Sequence, residues 1–132
     1  MNPDNVAIVQ KVYADFGAGN IDAIVAAMAD DIEWKEPPSG VPPFAGTRRG
    51  REQVAGFFRS LLEKVEPLQF DPREFIVHGD RVLVLGYYRF RARPTGKLWE
   101  TDWVMVWTLA GGRVAKFQIY KDSAAEVDAF RA

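Results

Sequence analysis

The chain reads as an α+β domain, with helices first and a meander of long antiparallel strands after them, the helices packing on one face of a curved sheet. Two observations carry this reading. Apolar residues recur at helical spacing as far as Val65, and from Leu68 onward the period changes to two. Turn signals at Gly79-Asp80, Pro94-Thr95-Gly96 and Ala110-Gly111-Gly112 then divide the second half into strands. A chain of 132 residues fits one domain with room for a core, and no repeat, linker or low-complexity stretch divides it.

Asn2-Pro3 is suited to start a helix, with Asn as cap and Pro in the first turn. Val6, Val9, Val12, Tyr13 and Phe16 give that helix one apolar face, and Gly17 and Gly19 end it. Asn20 caps a second helix carrying Ile21, Ile24, Val25 and Met28, which Asp30-Asp31 break. Ile32-Glu33-Trp34 reads as a short strand leading into a loop stiffened by Pro37, Pro38, Pro42 and Pro43. Such a loop holds side chains in place and is a good mount for a site.

Gly50 to Val65 is the clearest helix, with Val54, Phe57, Phe58, Leu61, Leu62 and Val65 in one stripe and Pro67 ending it. Glu74 to His78, Arg81 to Arg93, Lys97 to Leu109 and Arg113 to Lys121 read as strands. On the second of these, Val82, Val84, Tyr88 and Phe90 share a face. The opposite face passes from Leu83, Leu85 and Tyr87 to Arg89, Arg91 and Arg93, so only one end is covered on both sides. Ser123 to Ala132 is a weak last helix or a frayed end.

Composition narrows the function. Apolar residues make up 48% and charged residues 27%, as in a soluble globular protein. Lys plus Arg total 17 against 18 Asp plus Glu, a balance that argues against a nucleic-acid partner. The absence of cysteine excludes disulfides and thiolate catalysis, and a single histidine argues against a zinc site. No stretch matches a membrane span or a signal peptide, so the expected location is cytoplasmic, with no membrane partner and no cofactor implied.

Several local signatures, in order, resemble the nuclear transport factor 2-like superfamily, and within it the SnoaL-like, ketosteroid-isomerase-related group. They are IVQKVYADFGAGNIDAIVAAMADDIEW, the Pro-x-x-Gly-x-x-Pro loop after it, Phe44-Ala45-Gly46-Thr47, Gly50-Arg51 and the Phe57-Phe58 helix. Glu74-Phe75, Gly79-Asp80-Arg81-Val82, the strand from Trp103 to Leu109, Gly112-Arg113-Val114 and Tyr120-Lys121-Asp122 complete the set. The resemblance covers nearly the whole chain and implies a cone of helices and mostly antiparallel curved sheet around a hydrophobic cavity. It also implies a homodimer through the outer sheet face.

Glu36 falls where the isomerase pattern has a proton-shuttling aspartate before a proline. A carboxylate beside apolar surface is desolvated, which raises its pKa towards neutrality and suits it to move protons. An exposed loop glutamate is the bland alternative. The isomerase's hydrogen-bond donors are absent: its tyrosine falls at Val12, with Tyr13 one place along, and its second acid near Val104 or Met105. Ketosteroid isomerisation itself is therefore set aside.

Asp102 is the second candidate acid. It shares a strand face with Glu100, opposite Trp103, Met105, Trp107 and Leu109. If the aromatic face points inward the two acids point out; if the reverse, Asp102 joins Glu36 in the pocket. Tyr13, Phe16, Trp34, Phe44, Phe58, Tyr88, Trp103, Met105, Trp107 and Tyr120 are the candidate lining, suited to a small, flat or bulky hydrophobic ligand. His78 reads as a solvated turn residue, and the Arg89, Arg91 and Arg93 row as an edge paired with acids. Three functions remain open: a cofactor-independent proton-transfer enzyme acting on a cyclic or polyketide-like molecule, a non-catalytic binder of such a molecule, and a dimeric interaction module.

Overall fold

Apolar periodicity places the elements, and the computed structural model, which describes residues 4–41 and 45–132, shows how they pack. The Asn2-Pro3 cap, Pro42, Pro43 and the candidate Phe44 lie outside the described residues. Helices α1 (Asp4–Gly17) and α2 (Ile21–Ala26) lead into β1 (Met28–Lys35), followed by β2 (Thr47–Arg49) and α3 (Arg51–Lys64). Four longer strands follow: β3 (Val65–His78), β4 (Arg81–Ala92), β5 (Leu98–Ala110) and β6 (Arg113–Lys121). Helix α4 (Ser123–Phe130) closes the chain. All six strands form one sheet in the order β2-β1-β6-β5-β4-β3. Pairing is antiparallel except between β1 and β6, which run parallel.

Alternation decides which face of the sheet is covered. Val82, Val84, Tyr88, Phe90 and Ala92 of β4 and Trp99, Trp103, Met105, Trp107 and Leu109 of β5 are buried on the inner face. Val9 and Val12 of α1 and Val54, Phe57 and Phe58 of α3 pack over them. Each fully buried large side chain contributes about 1.5–3 kcal/mol, so this one layer of contact dominates the stability of the domain.

Three elements differ from the sequence reading. β3 begins at Val65, not Glu74, and runs through Pro67 and Pro72. It pairs only with β4 and so lies at a sheet edge, where a missing N–H costs no second ladder. The register breaks beside each proline, between Pro67 and Gln69 and between Pro72 and Glu74, and such irregularities bend a strand and tighten its twist. β1 begins at Met28 and passes through Asp30-Asp31 with a register shift, so the aspartates do not delimit it. Thr47–Arg49, which shows no strand pattern in the sequence, is a short edge strand pairing with Glu33, Trp34 and Lys35.

The basic residues at the start of α3 are tied to β1. Arg51 donates two hydrogen bonds to the Met28 carbonyl, at 2.9 and 2.7 Å, and Arg49 pairs with Glu33. Among the described residues, no helix is long and apolar enough to cross a membrane.

Candidate functional site

Glu36 follows β1 and keeps its phase. Trp34 faces inward, stacked on Phe117 of β6 with ring centroids 3.7 Å apart, and two residues later Glu36 faces the same way. The Glu36 amide donates to the Gly46 carbonyl at 3.1 Å, and the Gly46 amide to the Pro37 carbonyl at 3.3 Å. The two ends of the Pro-rich loop are thus fastened beside the carboxylate, which is buried rather than a solvated loop residue.

On β6, Phe117 and Ile119 point inward, and Lys121 continues that row. Because β1 and β6 are parallel, their C-terminal ends emerge side by side, with Trp34 beside Phe117. Lys121 Nζ donates to Glu36 Oε1 at 2.9 Å and to Glu126 Oε2 at 2.9 Å. Trp34 Nε1 donates to the other Glu36 oxygen at 3.3 Å. All three charged side chains are deeply buried: Glu36 6% exposed, Lys121 4% and Glu126 4%.

Glu126 is delivered by α4. Asp122 caps that helix, accepting from the Ala125 amide at 3.0 Å, and the Asp122 amide donates to Thr101 Oγ1 at 3.0 Å. Phe130 packs on Trp99 of β5 at 5.6 Å, holding the far end of the helix against the sheet.

The electrostatics of this cluster follow from burial and charge count. Burial alone would push the Lys121 ammonium down, but Glu36, with Tyr88 and Glu126, overrides it and holds Lys121 above the ordinary lysine range. Burial pushes the Glu126 carboxyl up, against the attraction of Lys121 and with the repulsion of Glu36. One lysine between two glutamates has a formal charge of −1, and burial, helped by the neighbouring Glu36, is what disfavours ionisation of Glu126.

This cluster borders a cavity of about 60 Å³. Val12, Tyr13 and Phe16 of α1 and Phe57, Phe58 and Leu61 of α3 form one side. Trp34, Phe70, Tyr88, Phe90, Met105, Trp107, Phe117 and Ile119 of the sheet form the other, and Glu36, Lys121 and Glu126 supply the charged groups. Tyr13 adds a hydroxyl that accepts from Trp107 Nε1 at 3.0 Å and donates to Met105 Sδ at 3.3 Å. Burial raises the pKa of the Tyr13 and Tyr88 phenols above the ordinary tyrosine value, so both are neutral donors at physiological pH.

Of the sequence candidates, Glu36, Tyr13, Phe16, Trp34, Phe58, Tyr88, Met105 and Trp107 meet around this cavity. Three others lie elsewhere. Asp102 is exposed on the outer sheet face, because the aromatic face of β5 points inward and the acid alternates with it. Tyr120 is 56% exposed, since Lys121 rather than Tyr120 is in phase with the buried residues of β6. Trp103 is buried, but its indole fills the space above Gly86 and stacks on Phe70 at 5.3 Å, beside the cavity rather than on its wall. Lys121 and Glu126 went unread as site residues. Their signal was a lysine at the period-two spacing of Phe117 and Ile119, and a glutamate four residues after a capping Asp122.

Comparison with known proteins is consistent with this architecture. The SnoaL-like domain family matches residues 9–117. An uncharacterized protein of Mycobacterium tuberculosis is 26% identical over 119 residues, 89% of each chain. An NTF2-like protein of Burkholderia xenovorans is 34% identical and superposes with a TM-score of 0.90 over 99% of this chain and 98% of its own. The protein TerC, crystallised with polyporic acid, is 28% identical with a TM-score of 0.85, covering 97% of this chain and 98% of its own. With a cone of helices on a six-stranded sheet and a family match across most of its length, the chain belongs to the SnoaL-like domain family, within the NTF2-like fold.

Proposed function

We propose that this protein is a cofactor-independent enzyme that moves a proton on a small, flat, hydrophobic ring molecule, with Glu36 as the proton-transferring group. The observation that carries this reading is the position of Glu36: a carboxylate on the wall of an aromatic cavity, with one oxygen held by Lys121 and the other by Trp34. A base held in one orientation against a bound ring needs little reorganisation at the moment of transfer. Crystallisation of TerC with polyporic acid supports an aromatic, oxygen-bearing ring as the ligand class.

The cavity of about 60 Å³ is smaller than the roughly 150 Å³ that accommodates a benzene ring. A ring therefore enters by displacing side chains of the wall, for which the half-buried Phe16, Leu61 and Phe70, packed against the core, are the candidates. Binding without turnover is the second reading. It is favoured by the same apolar walls and by the pairing of Glu36 with a cation, which occupies one of its oxygens.

The two readings separate in one experiment. Polyporic acid and a panel of cyclic ketones are titrated against the tryptophan fluorescence of the wild type and Glu36→Gln, and turnover is followed by product analysis. Catalysis by Glu36 gives binding in both proteins and turnover in the wild type alone. Binding with no turnover in either identifies a carrier, and equal turnover in both removes Glu36 from the reaction.

Leu68, Ile76, Val77 and Tyr120 leave apolar surface exposed, which supports assembly as a homodimer. Light scattering is expected to give twice the chain mass, and a monomer at micromolar concentration would exclude this assembly.

A further inference from the structure

The positions that the resemblance aligns with the isomerases' hydrogen-bond donors hold Val12 and, on the late strand, Val104 or Met105, none of which can stabilise negative charge on a substrate oxygen. Proton removal beside a carbonyl leaves an electron pair that must come to rest on the carbonyl oxygen. A site built around Glu36 therefore needs another donor, and of the Tyr13 and Tyr88 hydroxyls and the Lys121 ammonium on the cavity wall, it is Lys121 that is hydrogen-bonded to Glu36.

Lys121 meets this need. An ammonium carries three N–H groups, and Lys121 spends one on Glu36 and one on Glu126. The third has no partner among the described residues, although the side chain is 4% exposed and borders the cavity. A buried charged donor left unused costs free energy that a ligand oxygen can recover. The geometry also ties donor and base together, because Lys121 holds the carboxylate that would take the proton. We propose that Lys121 is a catalytic residue that donates this third hydrogen bond to the carbonyl oxygen of a cyclic ketone or enone, while Glu36 takes the proton from the adjacent carbon.

The step balances. The C–H electron pair becomes the new C=C bond, the carbonyl π pair moves to oxygen, and the resulting enolate is held by the Lys121 ammonium. Glu36 carries the proton and returns it to the same carbon or to the far end of an enone, so no oxidant or co-reactant is needed. Lys121 acts as a cation and not as a nucleophile, because its carboxylate neighbours hold the amine protonated and a Schiff base requires it free. Glu126 is a positioning residue that holds the ammonium through its second hydrogen bond.

This inference rests on the ring-binding reading of the cavity, and the following test separates the two. The probe is 1-tetralone labelled with ¹³C at the carbonyl, observed by NMR on binding to the wild type, Glu36→Gln, Lys121→Arg and Lys121→Met. A hydrogen bond from a buried cation moves the carbonyl resonance downfield by several parts per million. The shift is expected in the wild type, Glu36→Gln and Lys121→Arg, and is expected to vanish in Lys121→Met.

An equal shift in Lys121→Met overturns the role of Lys121 and leaves the binding site standing. Failure of the wild type to bind the ketone up to its solubility limit overturns both. Should Lys121→Met not fold, ¹⁵N-lysine labelling of the wild type decides the matter. The Lys121 Nζ resonance is expected to move as 1-tetralone saturates the protein, and an unmoved resonance overturns the proposal.

Discussion

Lys121 is the residue on which the buried charges depend. Removing one partner of a buried ion pair strands the other, so Lys121→Met, which leaves Glu36 and Glu126 facing each other without a cation, is expected to cost about 3–5 kcal/mol. Urea denaturation at neutral pH measures the loss, and a loss below about 1 kcal/mol would mean that water reaches the cluster. Because the folded state holds Lys121 above the ordinary lysine value of about 10.4, the stability it contributes is present at neutral pH and is lost only as pH rises through the folded value. Glu126 follows the same rule in a lower pH range. Its pKa is raised in the folded state, so its contribution is complete below the unfolded value of about 4.3 and declines as pH rises through the folded one. Glu126→Gln cannot ionise and escapes that decline. Its stability relative to the wild type is therefore expected to increase from acid towards neutral pH, and a constant difference across that range would contradict the assignment.

At the scale of elements, the β4–β5 pair and helix α4 set the shape of the cavity. A Cβ added at Gly86 would stand 2.3 Å from the Trp103 ring and 2.6 Å from the Asp71 carbonyl, so Gly86 lets the indole lie flat on the sheet. Gly86→Ala is expected to destabilise the fold by about 1–3 kcal/mol, measured as a lowered denaturant midpoint with an unchanged slope. Asp122→Ala removes the cap of α4 and should cost about 1 kcal/mol. It should also loosen Glu126, seen as faster amide exchange confined to residues 123–130; exchange unchanged there would mean that Phe130 packing alone fixes the helix. Legibility differed between elements for definite reasons. α3 and the paired strands β4 and β5 show uninterrupted periods, and β6 does so from Phe117 onward. β3 carries Pro67 and Pro72, residues that count against a strand until its edge position is known, and β2 is three polar residues whose only support is pairing with β1.

Across the whole molecule, the order of helices and strands was legible because the long elements other than β3 are apolar on one face at their own period. The site was legible only in part. Glu36 stands in a motif, whereas Lys121 and Glu126 come from β6 and α4 and join it only through the parallel pairing of β1 with β6. Local spacing places Lys121 on the inner face of β6, but a long-range crossing is what brings it beside Glu36. The choice of face for Asp102 depended likewise on which side of β5 the helices cover, and Trp103, Met105 and Trp107 took it. What the assembled molecule offers is an aromatic cavity whose charged groups are buried and held by one another. The central claim is that Glu36 uses this environment to move a proton at carbon. The most direct measurement is deuterium incorporation next to the carbonyl of 1-tetralone in D₂O at neutral pD, with the wild type beside Glu36→Gln. The wild type is expected to accelerate exchange over buffer, with Glu36→Gln losing about 10²-fold or more of that acceleration. Equal exchange by the two proteins, or binding of the ketone with no exchange above buffer, would contradict the claim.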